Sequence, residues 1–240
     1  MLKSVKTYVI FLLIMLMVCS SYAEKFKKYK AKSGKIEYKL SGNAEGKSVT
    51  YWDEYGYKEV QISKTTTKVW GMTTEENKTV LTIGTDVWEW KEDDDKVSHI
   101  TSPMAEIWEE ENYDDKDMEE LGKEMMDAMG FEKTGEEKFD GKLCDVYEGM
   151  GKIWIWKKHG IALKNDVKIL GIQIISEATD ININAKIDKK LFKYPKDRTI
   201  VTIENAHETM GDDEDEEIDP EEIKEAQEAA KKMLKGLFGK

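Results

Sequence analysis

Lys152 to Lys164 reads KIWIWKKHGIALK, with Ile153 and Ile155 alternating with Trp154 and Trp156. Successive side chains of a strand point to opposite faces, so one face carries the isoleucines and the other the indoles. A strand with one solvent face alternates apolar with polar residues. This stretch is apolar on both faces and needs cover on both. Any fold for the chain must therefore bring material to two sides of at least part of a sheet.

Much of the chain has the same short, alternating character. KIEYKL places Ile36, Tyr38 and Leu40 on one face. SVTYWDEYGYKEVQISKTTTKVWG predicts two or three strands with turns near Asp53–Gly56 and Ser63–Thr66. TVLTIGTDVWEWKEDDDK predicts two more, broken at Gly84-Thr85-Asp86 and ended by Asp93–Asp95. After Leu143, hairpins are expected with a turn at Lys157-Lys158-His159-Gly160, then Ile-rich strands to about Asp188. LFKYP, Leu191 to Pro195, reads as a strand exit halted by proline. TIVTIENAHE offers a last short strand. Val, Ile, Thr, Trp and Tyr dominate these segments, as strands favour, and their spacing predicts a mostly antiparallel sheet.

Two helices are expected. In NYDDKDMEELGKEMMDAMGFEK, Met118, Leu121, Met125 and Met129 share a face, Asp114 or Asp115 can cap the start, and Gly130 suits the C-terminal left-handed position. That stripe fits either a core-facing surface or an adaptable lid, because Met packs plastically. The tail begins with the acidic linker 211–222. A helix over 223–240 follows, with Asp219 as cap and Pro220 in its first turn. Its apolar face holds Ile223, Ala226, Ala230, Met233, Leu234 and Leu237, to dock on the sheet, on an envelope protein partner or at a membrane.

The N-terminus reads as a secretory signal over 1–23: Lys3 and Lys6, an apolar run from Tyr8 to Val18, then Ser21-Tyr22-Ala23. Cleavage is expected between Ala23 and Glu24, which makes the chain exported and periplasmic or outer-envelope associated. Cys19 raises the rival of a lipidated cysteine, although Met17 and Val18 fit that pattern poorly. Cleavage removes two lysines and no acid, so a formal charge of −12 becomes −14. That charge argues against nucleic acid and anionic membrane as general partners. It leaves Cys144 as a lone cysteine, expected as a small buried hydrophobe, with pairing between chains as the alternative.

No catalytic, metal or cofactor constellation emerges. His99, His159 and His207 show no metal-type spacing, there is no CxxC pair, and GxSxG, P-loop and GxGxxG motifs are missing. His159, beside two lysines, is expected at the surface, and His99 is expected to be structural. The acidic runs at 93–95 and 212–222 lack calcium-loop spacing and read as solvated charge. Asn77-Lys78-Thr79 matches a glycosylation acceptor. The residues that stand out are tryptophans on strands, with Trp88 and Trp90 sharing a face and Trp154 and Trp156 sharing another.

Three stretches carry a family resemblance: GEEKFDGKLCDVYEG (Gly135–Gly149), with a strand pair around Gly141; KIWIWKKHGIALK, ending in Leu163-Lys164; and INAKIDKKLFKYP (Ile183–Pro195), with Leu191-Phe192 and Pro195. In these the chain resembles the LolA-like group of exported bacterial proteins, which includes lipoprotein carriers and related domains of unknown function. The resemblance spans roughly residues 35–195 and implies a mainly β (α+β) fold over 24–210. That fold is a strongly curved antiparallel sheet, an incomplete barrel, with helices on its concave side. It also implies a groove for acyl chains, hence a non-enzymatic binder of a lipid or acylated protein. Trp88, Trp90, Trp154 and Trp156 would line or rim the groove, and Met118, Leu121 and Met125 would form a movable lid. The tail, 211–240, departs from the family pattern and puts a simple carrier role in doubt; the alternative is an interaction module that uses the sheet as scaffold and the tail to recruit a partner.

Overall fold

The computed structural model describes residues 27–69, 72–101, 126–127, 130–169 and 172–202. They form one open, curved sheet of 12 strands. β1 (Gly34–Gly42), β2 (Ala44–Asp53), β3 (Lys58–Val69), β4 (Met72–Ile83), β5 (Asp86–Lys91) and β6 (Lys96–Thr101) run as an antiparallel meander. β7 (Glu132–Phe139), β8 (Lys142–Glu148), β9 (Gly151–Trp156), β10 (Ile161–Ile169) and β11 (Ile172–Ile183) form a second one. The two join where β1 pairs with β11, from Gly34 opposite Ile183 to Gly42 opposite Ile174. β12 (Thr199–Thr202) adds to the outer side of β6 in parallel, leaving β12 and β7 as the two edges.

Local chemistry sets the turns. Between β7 and β8, Asp140 and Gly141 both take positive φ, 46° and 73°, the two-residue hairpin geometry that Asp-Gly favours. The expected turns at Asp53–Gly56, Gly84–Asp86 and Lys157–Gly160 are all present. The expected turn at Ser63–Thr66 is not, because β3 runs unbroken from Lys58 to Val69. Ser-Lys-Thr-Thr-Thr is polar enough to suggest a loop, but the β-branched threonines sustain a strand opposite Thr73–Lys78 of β4. LFKYP is likewise not a strand exit. Leu191 closes a 3-10 turn, Lys189–Leu191, capped by the Asp188 side chain, and the chain then loops to Pro195.

Three bulges fall at the seam and in the second meander. The pairing skips Thr179 opposite β1, Leu163 opposite β9 and Thr134 opposite β8. Each extra residue bends its strand and raises the local twist, which is a physical source of the sheet's curvature. Among the described residues helix is confined to 126–127 and two 3-10 turns. Most of the expected Met-rich helix, including Met118, Leu121 and Met125, lies outside them, as do the signal segment, the acidic linker and the helix over 223–240. Gly130 does take the left-handed conformation, φ 74°, and the Phe131 amide returns to the Met126 carbonyl at 2.8 Å, as a helix end requires.

Near the seam and the clasp the first meander is covered on both sides. Register puts Ile36, Trp52, Glu59, Val80 and Val87 on one face and Tyr51, Val60, Leu81, Ile83, Trp88 and Trp90 on the other. Trp52 is fully buried, donates its indole N–H to the Ala31 carbonyl at 3.1 Å and meets the Tyr29 ring at 4.7 Å. The segment 27–33 thereby acts as a clasp. The Tyr29 amide donates to Tyr55 O, the Lys30 amide to His159 O, and Ser33 O accepts from the Asn184 amide. Glu59, buried on the Trp52 face, receives the Lys28 ammonium at 2.8 Å and the Tyr29 hydroxyl at 2.7 Å. A buried carboxylate is costly without such partners, so Glu59 fixes where the clasp lies.

Gly34 sits opposite Trp52, and a methyl placed on it would come within 2.2 Å of the indole. Gly34→Ala is expected to lower stability by about 1–3 kcal/mol in urea unfolding. Trp52→Leu should relieve part of that penalty in the double variant, whose effect will be less than additive.

Candidate functional site

The sequence directs attention to the paired indoles, and the structure gives the two pairs different surroundings. Trp88 and Trp90 share a face of β5, opposite Leu81 and Thr79 of β4. With Val60, Leu81, Tyr51 and Ile83 they form an apolar patch across β2–β5. The patch is covered by the chain itself. Ile187, Leu191, Phe192 and Tyr194, on the segment between β11 and β12, pack against it, and Phe192 is buried there. Trp88 stacks with Tyr194 at 5.3 Å and with His99 at 5.0 Å, the rings within 16° and 19° of parallel. His99 Nε2 meets Asp86 Oδ1 at 2.8 Å.

Trp154 and Trp156 also share a face, on β9, where both pack against the main core cluster of Trp52, Cys144, Ile161 and Leu163 and carry ionic groups at their rim. The Trp154 indole N–H donates to Glu137 Oε2 at 2.8 Å, and the Lys152 and Lys164 ammonium groups lie 5.0 and 5.3 Å from its ring centre. Lys152 also pairs with Glu137, and this holds the Glu137 carboxyl below the usual carboxylate range. Trp156 has Lys142 at 5.8 Å and the His159 ring edge-on at 4.3 Å. Cations over indole faces are attracted by the ring quadrupole. The isoleucines of β9 belong to a second, smaller cluster, in which Ile153 packs with Phe131 and Met126. Sequence reasoning placed Met125 in the helix stripe but overlooked its neighbour Met126, which is buried against the sheet.

The two tryptophan pairs therefore do not make one groove wall along the sheet. Six strands separate β5 from β9, about 33 Å along the sheet at the usual strand spacing. Among the described residues no group of three or more His, Cys, Asp or Glu side chains is placed to hold a metal. Cys144 is fully buried, and burial pushes its thiol above the ordinary value, away from the reactive thiolate. Asn77 of the acceptor motif lies within β4 and donates to Glu92 at 3.2 Å.

No family model matches the chain, and no curated protein matches it. Among solved structures, an uncharacterised conserved protein from Thermus thermophilus aligns with a TM-score of 0.47 at 11% identity, covering 72% of this chain and 92% of that one. PNGF-II aligns at 0.42 and 13%, covering 75% of this chain and 32% of that one. MucB, from the Pseudomonas aeruginosa MucA/MucB complex, aligns at 0.37 and 12%, covering 71% of this chain and 58% of that one. The chain thus spans about a third of PNGF-II and little more than half of MucB. Overlaps of this size transfer no residue roles.

His159 is less exposed than its place in a lysine-flanked turn suggests. Its Nδ1 is buried without a hydrogen-bond partner among the described residues, and burial, aided by Lys158, holds its pKa below the ordinary value. A folded-state pKa below the unfolded one means that the unfolded chain binds the proton more readily. The His159 contribution is thus present above the unfolded pKa, about 6.5, and is lost as pH falls below it. Thermal melts between pH 7.5 and 5 are expected to show a smaller acid-side loss for His159→Gln than for the parent chain.

Proposed function

We propose that this chain is an exported cell-envelope protein that binds an acyl chain or similar apolar ligand without chemical turnover. The supporting observation is the patch formed by Tyr51, Val60, Leu81, Ile83, Trp88 and Trp90. It is continuous across four neighbouring strands whose opposite face, through Trp52, Val80 and Val87, is already buried in its own right. Sheltering a ligand methylene there contributes about 0.8 kcal/mol. The Trp88 and Trp90 pair suits this role better than Trp154 and Trp156, whose indoles pack into the main core and are rimmed by Lys152, Lys164, Lys142 and Glu137. An open, mainly antiparallel curved sheet is also the coarse architecture that the LolA-like resemblance implies.

A second reading has its own observation, in the contrast between the two edges. β7 is exposed almost throughout and charged, EKTGEEKF, which discourages strand addition. β12 is TIVT, with Ile200 and Val201 exposed at 45% and 37%. A partner protein could add to that edge, which precedes the acidic segment 211–222 in the sequence. That reading expects partner capture to be lost on removal of 211–240 while palmitate uptake persists.

Titrating the full-length chain with palmitate is expected to shift and quench tryptophan emission. The change should be largely lost in Trp88→Phe and retained in Trp154→Phe. An unchanged spectrum across saturated chains of several lengths would remove the apolar-ligand reading.

A further inference from the structure

The cover over the Trp88 and Trp90 patch is fastened at its two ends. At its start the Asn184 amide donates to Ser33 O at 2.7 Å, and the Ser33 hydroxyl donates to Ala185 O at 2.9 Å. At its end Arg198 donates to Lys91 O at 2.6 Å and Glu92 O at 3.2 Å, and the Thr199 amide donates to Asp95 O at 2.9 Å. Between these anchors the hydrogen bonds are internal: Lys190 N to Asp188 Oδ1, Leu191 N to Asp188 O and Phe192 N to Lys189 O. No hydrogen bond ties residues 186–197 to the sheet among the described residues. The middle of the segment is held by the apolar contacts of Ile187, Leu191, Phe192 and Tyr194 alone. Such a segment can lift away without leaving a backbone group of the sheet unpaired.

Its outer side has a definite chemistry. Lys186, Lys189, Lys190, Lys193 and Lys196 are all exposed and form no ion pair among the described residues, in a chain of net charge −12. The strap therefore presents apolar side chains inward, and its five exposed lysines outnumber its two exposed acids, Asp188 and Asp197. Resting on the apolar-ligand reading above, we propose that residues 186–197 are a displaceable plug selective for single-chain amphiphiles with an anionic head. The acyl chain takes the places of Leu191 and Phe192 on Val60 and Leu81, and the head pairs with the strap lysines.

The test compares palmitate with uncharged hexadecanol, both below their aggregation limits, on the full-length chain at pH 8. The parent is expected to bind palmitate at least tenfold more tightly than hexadecanol. The triple charge reversal Lys189→Glu, Lys190→Glu and Lys193→Glu should erase that preference. Leu191→Ser with Phe192→Ser, checked for native circular dichroism, should bind both compounds at least tenfold more tightly than the parent. Hydrogen exchange on the parent chain needs no variant, and palmitate should speed exchange of amides in 186–197 while β3–β5 stay protected. Palmitate binding with strap protection unchanged and no gain in the double variant overturns the plug but leaves the ligand reading standing. No binding by the parent or the double variant overturns both. Binding to phosphatidylglycerol vesicles without binding of monomeric palmitate also overturns the proposal, in favour of a membrane surface.

Discussion

The pairing of β1 with β11 is the constraint on which the rest of the sheet depends. Each meander is built from neighbours in sequence, and this seam joins the first strand of one to the last strand of the other. Such a long-range pairing must overcome a large loop-closure entropy before it contributes anything. The structure concentrates its best packing there. Trp52, Ile36, Ile161, Leu163 and Cys144 belong to one buried cluster that spans the seam, and the clasp residues Tyr29 and Ala31 complete it. The clasp adds main-chain bonds to three separate places, the β2–β3 turn, the β9–β10 turn and the end of β11. Burial also pushes the Tyr29 phenol well above its ordinary pKa, with Glu59 adding to the effect, so the phenol stays a hydrogen-bond donor to Glu59.

The turns were legible because their residues are chemically specific. Gly84-Thr85-Asp86 and Lys157–Gly160 interrupt strands on both sides, and Gly84 and Gly160 take positive φ that other residues adopt at a cost. The error at Ser63–Thr66 has a physical basis. The far end of the β3–β4 hairpin runs into solvent, so polar residues occupy both faces and the alternation that marks a strand disappears. The seam and the parallel pairing of β12 with β6 leave no local trace, since neither flanking segment encodes its distant partner. For the candidate site, the sharing of a face by Trp88 and Trp90 followed from the period of two. What lies over that face did not.

The opening problem, a strand apolar on both sides, has two solutions in this molecule. Around Trp154 the cover is the main core of Trp52, Cys144, Ile161 and Leu163, with cations at its rim. Lysines from β9 and β10 lie over the ring, and Glu137 from β7 takes the indole N–H, so the indole is satisfied while half-exposed. Around Trp88 the cover is aromatic and aliphatic and arrives on a separate segment. The difference is readable only in three dimensions, because WEW and WIW look alike as patterns while their cross-strand neighbours do not.

That difference also bears on which surface can exchange its cover. The groups over Trp154 are side chains rooted in neighbouring strands, so moving them aside still leaves Glu137, Lys152 and Lys164 crowding the same ring. The groups over Trp88 include Tyr194, which travels with a segment that owes the sheet no main-chain hydrogen bond between its anchors. Apolar contact is non-directional, and an acyl chain can replace Leu191 and Phe192 on Val60 and Leu81 with little geometric penalty. A surface packed into the main core and rimmed by fixed ion pairs offers no such substitution. The physical case for a ligand therefore rests on the way 186–197 is attached, more than on the number of tryptophans in the chain.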